Sequence, residues 1–187
     1  MNDMSARTGY APVNGLQMFY RIHGEGQPLI LIHGGFGMVE MFDGLIPGLA
    51  AGRQVIAVEL QGHGRTADID RPFSVEGFAD DVAALIRHLG FEQADVLGFS
   101  LGGIVAIRIA IRHPEIVRKL VVVSAVCASD GWYPENRAGM DSINVEVMTG
   151  TPMYDSYCGV APDPAGFTAL VNKTRALMTG PTFDWST

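Results

Sequence analysis

Residues 95–114, DVLGFSLGGIVAIRIAIRHP, contain the junction that decides the fold. A continuous apolar run typical of a buried strand gives way there to a run that is apolar nearly all round, which predicts a buried helix ended by Pro114. Ser100 lies at the junction, between Gly98 and Gly102. The pattern Gly-x-Ser-x-Gly at a strand-to-helix turn predicts a serine with a strained, positive φ whose hydroxyl rises above the sheet.

Three interpretations of Ser100 remain open at this point. It could be a catalytic nucleophile, with the backbone N–H of Leu101 at the helix N-terminus helping to hold a developing oxyanion. It could be an incidental serine in a glycine-rich turn. A dinucleotide-binding turn is the third interpretation, but the run lacks Gly-x-Gly-x-x-Gly, which argues strongly against it.

Strand and helix patterns alternate on both sides of this junction. Apolar runs bounded by turn residues predict strands, and apolar residues at helical spacing between them predict helices. The helical pattern at 74–90 has the clearest ends, because Ser74 begins it as an N-cap and Gly90 ends it. The predicted strands are 15–24, 28–35, 53–60, 94–99 and 119–126. The predicted helices are a weak one at 38–50 broken by Pro47, then 74–90, 101–114 and a modest one around 164–178.

This alternation predicts an α/β domain with a mainly parallel sheet flanked by helices. Ligands bind such sheets at the carboxyl ends of the strands. The segments 33–35, 61–64 and Ser100 each follow a predicted strand, so we expect them to meet at that edge. The Gly-His-Gly-Arg segment at 62–65 lacks the Lys-Ser/Thr pair of a phosphate-binding loop, which favours a structural turn.

Composition excludes several classes of function. The 187 residues are 48% apolar and 18% charged, which is typical of one folded domain. A net charge of −7 argues against nucleic acid or an anionic membrane as a partner. The start of the chain lacks the pattern of a secretory signal, and no apolar run reaches the ~20 residues of a membrane span. We therefore expect a cytoplasmic protein in which Cys127 and Cys158 are reduced, buried thiols.

Four motifs in sequence order resemble those of the α/β-hydrolase superfamily. They are LILIHGGFG (29–37), VIAVELQGHGRTADID (55–70), FADDVAALIRHLGFEQADVLGFSLGG (78–103) and AIRHPEIVRKLVVVSA (110–125). The chain resembles the amino-terminal two-thirds of a typical member, in its serine-nucleophile branch. The resemblance implies an α/β-hydrolase core over 1–126, truncated before the last strands, and a partial helical cap over 127–187.

The resemblance also implies roles for individual residues. Ser100 matches the nucleophile, and the N–H of Leu101 with one from Gly35 or Phe36 matches the oxyanion hole. Related dehalogenases and epoxide hydrolases carry aspartate at the position of Ser100, so serine implies acyl transfer by an esterase, lactonase, carbon–carbon-bond hydrolase or haloperoxidase-like enzyme. No cofactor or metal is implied. The implied substrate is a small apolar acyl compound, and the cap residues that could line its pocket are Trp132, Tyr133, Met140, Met148, Met153, Tyr154, Tyr157, Phe167 and Met178.

The base that would activate Ser100 has no match in the sequence. In this fold the acid and the histidine follow the nucleophile along the chain. Only His113 does so, and it falls at the far end of the predicted helix, roughly 20 Å away. Asp130 follows the last predicted strand and is a weak candidate for the acid. No histidine accompanies it there.

Three hypotheses account for the missing base. We expect first a fragment or truncated product of a larger serine hydrolase. The alternatives are an inactive relative that binds a small hydrophobic ligand or a protein partner, and an enzyme whose histidine comes from another chain. A sheet that ends near residues 119–125 would leave an exposed apolar edge, so we also expect self-association.

Overall fold

The computed structural model describes residues 6–180, which form a six-stranded sheet with helices on both faces. The strands lie in the order β1-β2-β4-β3-β5-β6, and β3, β4, β5 and β6 are parallel. The predicted α/β class and mainly parallel sheet are confirmed. The strand bounds are β1 Arg7–Val13, β2 Leu16–His23, β3 Gln27–Ile32, β4 Arg53–Val58, β5 Ala94–Phe99 and β6 Val117–Val123.

The first strand is one that the sequence analysis does not predict. β1 pairs antiparallel with β2, with Val13 opposite Leu16. Asn14 and Gly15, which connect the strands, have φ values of 47° and 86°. An Asn-Gly pair with two positive φ angles is the favoured two-residue hairpin turn, so the dipeptide carried a signal that the polar start of the chain obscured.

The helices on either side of β5 agree with the sequence. The Ser74 hydroxyl accepts a hydrogen bond from the Gly77 N–H at 3.0 Å, and Gly90 has φ +81°, so both predicted ends of the second helix are confirmed. The helix bounds are α1 Ile46–Leu49, α2 Val75–His88, α3 Leu101–Arg112, α4 Pro134–Asp141, α5 Val145–Met148, α6 Pro152–Val160 and α7 Phe167–Met178.

Two predictions about the weaker helices are wrong. The predicted helix 38–50 is a 3₁₀ turn at Val39–Phe42 followed by α1, and Pro47 lies in the first turn of α1 instead of breaking a helix. Beyond residue 127 the sequence predicts one helix, around 164–178, which is confirmed as α7, but the described residues 128–180 also contain α4, α5 and α6. Proline and capping residues start those short helices, so the residues interpreted as loop signals are helix N-termini.

Two apolar layers hold the sheet, one on each face. On one face α2 and α3 pack through their buried side chains, and the buried residues of α7 belong to the same apolar cluster. The smaller layer on the other face lies beneath the 3₁₀ turn and α1. The predicted boundary near residue 127 stays a prediction, and residues 181–187 of the predicted cap lie outside the described residues. None of the helices within 6–180 has the length and apolar character that a membrane crossing needs.

The edge strand β6 is apolar and exposed. Leu120, Val121, Val122 and Val123 are each 37–46% exposed, although consecutive side chains point to opposite faces. One end of the strand borders an apolar groove of about 280 Å³. The groove is lined by Met41, Phe42, Leu45, Leu97, Phe99 and Val123. An edge with unpaired backbone and apolar side chains is a template for pairing with another strand.

We expect the isolated 187-residue chain to self-associate through β6, with the association weakened by Val121→Lys. A lysine on an edge strand disfavours strand addition because its charge would have to be desolvated. Analytical ultracentrifugation at tens of micromolar measures the effect. Val147→Lys is the matched control, because Val147 is 60% exposed on α5 and away from the edge. A monomeric wild-type chain that melts cooperatively above about 60 °C would contradict the expectation.

Candidate active site at the strand–helix turn

Ser100 lies between β5 and α3 with φ 53° and ψ −118°. The predicted positive φ is confirmed. Its backbone holds the turn, since its N–H donates to the Val123 carbonyl at 2.9 Å and its carbonyl accepts from the N–H groups of Gly103 and Ile104 at 2.9 and 3.1 Å. Its side chain makes no capping hydrogen bond to α3. The hydroxyl is therefore not used to start the helix.

The two flanking glycines are required by close backbone packing. A Cβ on Gly98 would overlap the carbonyl oxygen of Gly102. A Cβ on Gly102 would overlap the carbonyl oxygen of Ile32 and lie 2.5 Å from that of His33. The first turn of α3 thus rests directly on the backbone at the end of β3, and this contact fixes where Ser100 stands relative to the loop that follows β3.

The loop after β3, residues 33–37 (the glycine loop), is a tight turn held by two contacts to one carbonyl. The Gly34 carbonyl accepts from the Gly37 N–H at 3.0 Å and lies 2.7 Å from His33 Nδ1. Phe36 has φ +61°, a conformation that non-glycine residues rarely adopt. A trans peptide points its C=O and N–H in opposite directions, so the N–H of Gly35 points away from the groups that hold the Gly34 carbonyl.

The loop and the turn lie against each other. A Cβ on Gly34 would be 3.3 Å from Ser100 Cβ, and a Cβ on Gly35 would be 3.9 Å from Leu101 Cδ2. The structure therefore brings together three of the four residues predicted for the site. The fourth, Phe36, follows in the same loop and packs half-buried against the main core.

His33 and His63 hold the loops that follow β3 and β4. His33 Nε2 accepts from the Leu60 N–H at 3.2 Å, which leaves Nδ1 to donate to the Gly34 carbonyl. His63 Nδ1 lies 3.0 Å from the Gln61 carbonyl, and the two imidazole rings are 4.9 Å apart. Burial lowers the pKa of His33 to about 4 and that of His63 to about 3. Both rings are neutral near pH 7, and both ring nitrogens of His33 are already used in hydrogen bonds.

The remaining triad candidates lie away from the turn. His113 follows the last residue of α3, where its Nε2 lies 2.8 Å from Asp80 Oδ1. His88 is exposed at the end of α2, and Asp130 is exposed in a 3₁₀ turn. Within residues 6–180 no hydrogen bond joins the Ser100 hydroxyl to a histidine.

The Gly-His-Gly-Arg segment is a structural turn built on a buried carboxylate. Glu59 is fully buried, and Arg65 contacts it through its backbone N–H at 2.5 Å and its guanidinium at 2.7 Å. Burial raises the pKa of Glu59, and the Arg65 contacts oppose that rise. Gly64 has φ +51°, and a Cβ there would overlap the Glu59 carboxylate. The pattern belongs to packing and not to phosphate binding.

One helix that the sequence analysis placed only coarsely reaches the site. Lys173 of α7 binds the loop after β4, with Nζ 2.6 Å from Asp68 Oδ2 and 2.9 Å from the carbonyl oxygens of Ile69 and Arg71. Its neighbour Thr174 lies with Cγ2 3.7 Å from the position of a Cβ on Gly35.

Thr174 is a residue next to the candidate site that sequence reasoning missed. It continues the buried stripe formed by Phe167, Leu170 and Val171, at the spacing of one helix face. The available signal was a polar residue at a position of α7 where the helical period predicts an apolar one. The sequence analysis did not use it.

The proposed pocket residues of the helical segment have mixed environments. Tyr157 and Phe167 are buried with ring centroids 5.4 Å apart, and they pack α6 onto α7. Tyr133 and Met153 are 69% and 51% exposed and lie on the surface. A pocket-lining role for the others stays a prediction.

Within residues 6–180 the two cysteines form no disulfide, and the residue types that ligate metals form no cluster. Cys127 and Cys158 are both free, as expected, but Cys127 is exposed and Cys158 half-buried, so the prediction that both are buried is wrong. Among the described residues no group of three or more His, Cys, Asp or Glu is placed to hold a metal ion.

Comparison with known proteins agrees with this architecture. The sequence matches the alpha/beta hydrolase fold family over residues 27–168, which is most of the chain. The chain belongs to the α/β hydrolase family. The match takes in the glycine loop, the strand–helix turn and α4 to α6, and it ends at the start of α7.

Three similar proteins show how much of the fold is shared. A pimeloyl-[acyl-carrier protein] methyl ester esterase from Neisseria meningitidis serogroup B is 44% identical over 110 residues, which are 58% of this chain and 41% of that protein. The chain spans less than half the length of this curated relative. The structure of epoxide hydrolase CorEH is 30% identical with a TM-score of 0.66, covering 73% of this chain and 49% of that one. A hydrolase structure from Pseudomonas aeruginosa has a TM-score of 0.68 at 20% identity, covers 91% and 73% of the two chains, and shows the shared fold.

We predict that Gly102→Ala lowers the free energy of unfolding by more than about 2 kcal/mol, because the new methyl group meets backbone oxygens that cannot turn aside. Urea denaturation measures it. Gly159→Ala in α6 is the matched control, since a Cβ there meets nothing within 4 Å. That variant should gain about 0.5–1 kcal/mol from helix propensity. Equal effects of the two substitutions would contradict the packing described for Gly102.

We also predict that the fold loses stability as the pH falls from 6.5 towards 4. The pKa of each buried histidine is lowered in the folded chain, so in this window the unfolded chain binds protons that the folded chain refuses. Above about pH 6.5 the histidines do not lower the free energy of unfolding. At pH 5 each of them has lowered it by about 2 kcal/mol. Glu59, with its raised pKa, acts in the opposite direction.

The histidine contribution is isolated by comparing variants. The difference in unfolding free energy between pH 7 and pH 5, measured by urea denaturation, should shrink in His63→Gln. The exposed His88→Gln is the control and should keep the wild-type difference. A pH dependence that is the same in both variants would show that His63 is not held neutral by burial.

Proposed function

We propose that this chain carries the nucleophile and oxyanion-binding elements of a serine hydrolase that cleaves a small apolar ester or a related acyl substrate. Ser100 supplies the nucleophile. The N–H of Leu101 and one N–H from Gly35 or Phe36 hold the oxygen of the substrate carbonyl as it gains negative charge. Neither a metal nor an organic cofactor is required for this chemistry.

The conformation of Ser100 is the observation that carries the proposal. A positive φ in a non-glycine residue costs of order 1–3 kcal/mol, and such strain persists where the surrounding structure imposes it. Here the Ser100 hydroxyl makes no capping hydrogen bond at the N-terminus of α3. The partial positive charge of that terminus favours a developing oxyanion beside it.

The identity of the residue at the turn supports acyl transfer. An esterase is among the relatives similar to this chain, and its name gives a methyl ester as what it acts on. An epoxide hydrolase shares the fold. Aspartate in that branch attacks carbon to form an alkyl ester, whereas a serine hydroxyl forms an acyl ester, so Ser100 favours the esterase-like reaction.

The reaction proceeds in two halves. Ser100 Oγ attacks the carbonyl carbon, its proton passes to a base, and the carbonyl oxygen takes up the negative charge between the backbone N–H groups. Collapse of this intermediate expels the alcohol, which receives the proton. Water then attacks the acyl-serine in the same way and releases the acid.

We propose that the base is a histidine supplied from outside this chain. His33 already uses both ring nitrogens, and His113 pairs with Asp80 at the far end of α3. The relatives' greater length leaves room for further strands and a later histidine. Such a histidine in a longer form of the protein is the favoured source, and a second copy of the chain is the other.

The test is the effect of Ser100→Ala on hydrolysis of p-nitrophenyl butyrate. In the 187-residue chain we expect slow turnover and a change of less than about tenfold, because a serine without a base is a poor nucleophile. In a form extended past Thr187 by the missing strands and histidine, the same substitution should cost more than about 10³-fold in kcat. Ser142→Ala, in an exposed turn after α4, is the control and should leave both rates unchanged.

Two results would contradict the proposal. If the extended form is active and Ser100→Ala leaves its rate intact, Ser100 is not the nucleophile. If the 187-residue chain turns over briskly and loses that activity with Ser100→Ala, a base is already present. Analytical ultracentrifugation and substitution of His33, His63 and His113 would then locate it.

A further inference from the structure

The hydroxyl of Thr174 is a buried polar group without a partner at the edge of the site. The residue is 2% exposed, and its Oγ1 makes no hydrogen bond, not even to a carbonyl of its own helix. Its methyl Cγ2 faces the glycine loop, 3.7 Å from the Cβ position on Gly35. Buried hydroxyls in folded proteins are nearly always hydrogen-bonded, so this one needs an explanation.

Rotation about χ1 would present the hydroxyl of Thr174 to the loop. Threonine in a helix divides between two χ1 rotamers, and a 120° rotation about χ1 can move Oγ1 into the place of Cγ2 while Cγ2 moves into that of the Cβ hydrogen. An oxygen in that place would face Gly35 and Leu101, which are the residues proposed to hold the substrate carbonyl. Lys173 keeps this part of α7 in place through Asp68 and two backbone carbonyls, so Thr174 is presented from a fixed support.

The charges around the site indicate what kind of ligand this hydroxyl meets. Arg65 binds Glu59 and Glu40, and Lys173 binds Asp68. Arg71, in the loop that Lys173 contacts, pairs with Asp81. The cations that contact these loops are thus already matched by carboxylates, and a ligand carboxylate would have to displace one of them. An uncharged ligand has no such requirement.

We infer that Thr174 is a substrate-binding residue whose hydroxyl hydrogen-bonds an oxygen of an uncharged ester bound between α7 and the glycine loop. The inference rests on the proposed function, because it takes the site at Ser100 as the place where the acyl group binds. It adds the polar contact and the charge of the substrate. In the free chain the buried hydroxyl lacks a hydrogen bond, which costs free energy. The hydrogen bond to the ester removes that cost.

The experiment measures ester binding without relying on turnover. The 187-residue chain, labelled with ¹⁵N, is titrated with methyl butyrate and followed through the amide signals of Gly35, Leu101 and Thr174. Thr174→Val keeps the shape and removes the hydroxyl, and we expect it to weaken binding about tenfold. Thr174→Ser should stay close to wild type. Thr168→Val, at an exposed position of the same helix, is the matched control and should bind like wild type.

A second readout separates this role from a structural one. Because Thr174→Val removes an unsatisfied buried hydroxyl, its unfolding midpoint should rise by about 2–4 °C while its affinity falls. The anion of monomethyl succinate, which is close to methyl butyrate in length, should bind at least tenfold more weakly than methyl butyrate to the wild-type chain.

The possible outcomes divide cleanly. If Thr174→Val binds methyl butyrate as tightly as wild type, or unfolds at a lower temperature, the inference is overturned, and the proposed function still stands on the Ser100 substitution in the extended form. If monomethyl succinate binds as well as methyl butyrate, the part of the inference that concerns charge is overturned. If neither ester perturbs the three amide signals, the inference is overturned, and hydrolysis by the extended form decides separately on the proposed function.

Discussion

The backbone contact between the first turn of α3 and the end of β3 is the constraint on which the site depends. Gly102 lies against the carbonyls of Ile32 and His33, and Gly98 lies against the carbonyl of Gly102. With no side chain at either position, the chain can turn from β5 into α3 within a single residue. Ser100 is that residue, and its positive φ follows from the contact. The geometry of the proposed nucleophile is therefore a consequence of backbone packing.

Buried histidines connect this geometry to the stability of the fold. His33 ties the loop after β3 to the loop after β4, and it fixes the Gly34 carbonyl and hence the direction of the Gly35 N–H. It can do so only as a neutral ring with one donor and one acceptor nitrogen. The low pKa that burial imposes keeps it in that state. The arrangement that orients the loop thus makes the fold sensitive to acid.

The central strands, the helices on either side of β5 and the turn at Ser100 could be predicted from the sequence because local patterns determine them. The apolar runs of the central strands, the Ser74 cap and the glycines around Ser100 act within a few residues of one another. Two features were harder. The short helices after residue 133 begin at proline and at capping residues, which also mark turns. The packing of Thr174 on Gly35 joins residues far apart in the chain, and its only local sign is a polar residue in an apolar stripe.

The central claim is that Ser100 is the nucleophile, and peptide mapping after covalent labelling tests it most directly. A form of the protein extended past Thr187 to the length of its relatives is treated with an alkyl fluorophosphonate, which reacts with activated serines, and the labelled peptide is identified by mass spectrometry. The account predicts a single label on Ser100, and a far slower reaction in the 187-residue chain. A label on another serine, or none on Ser100 in an extended form that hydrolyses esters, would contradict it.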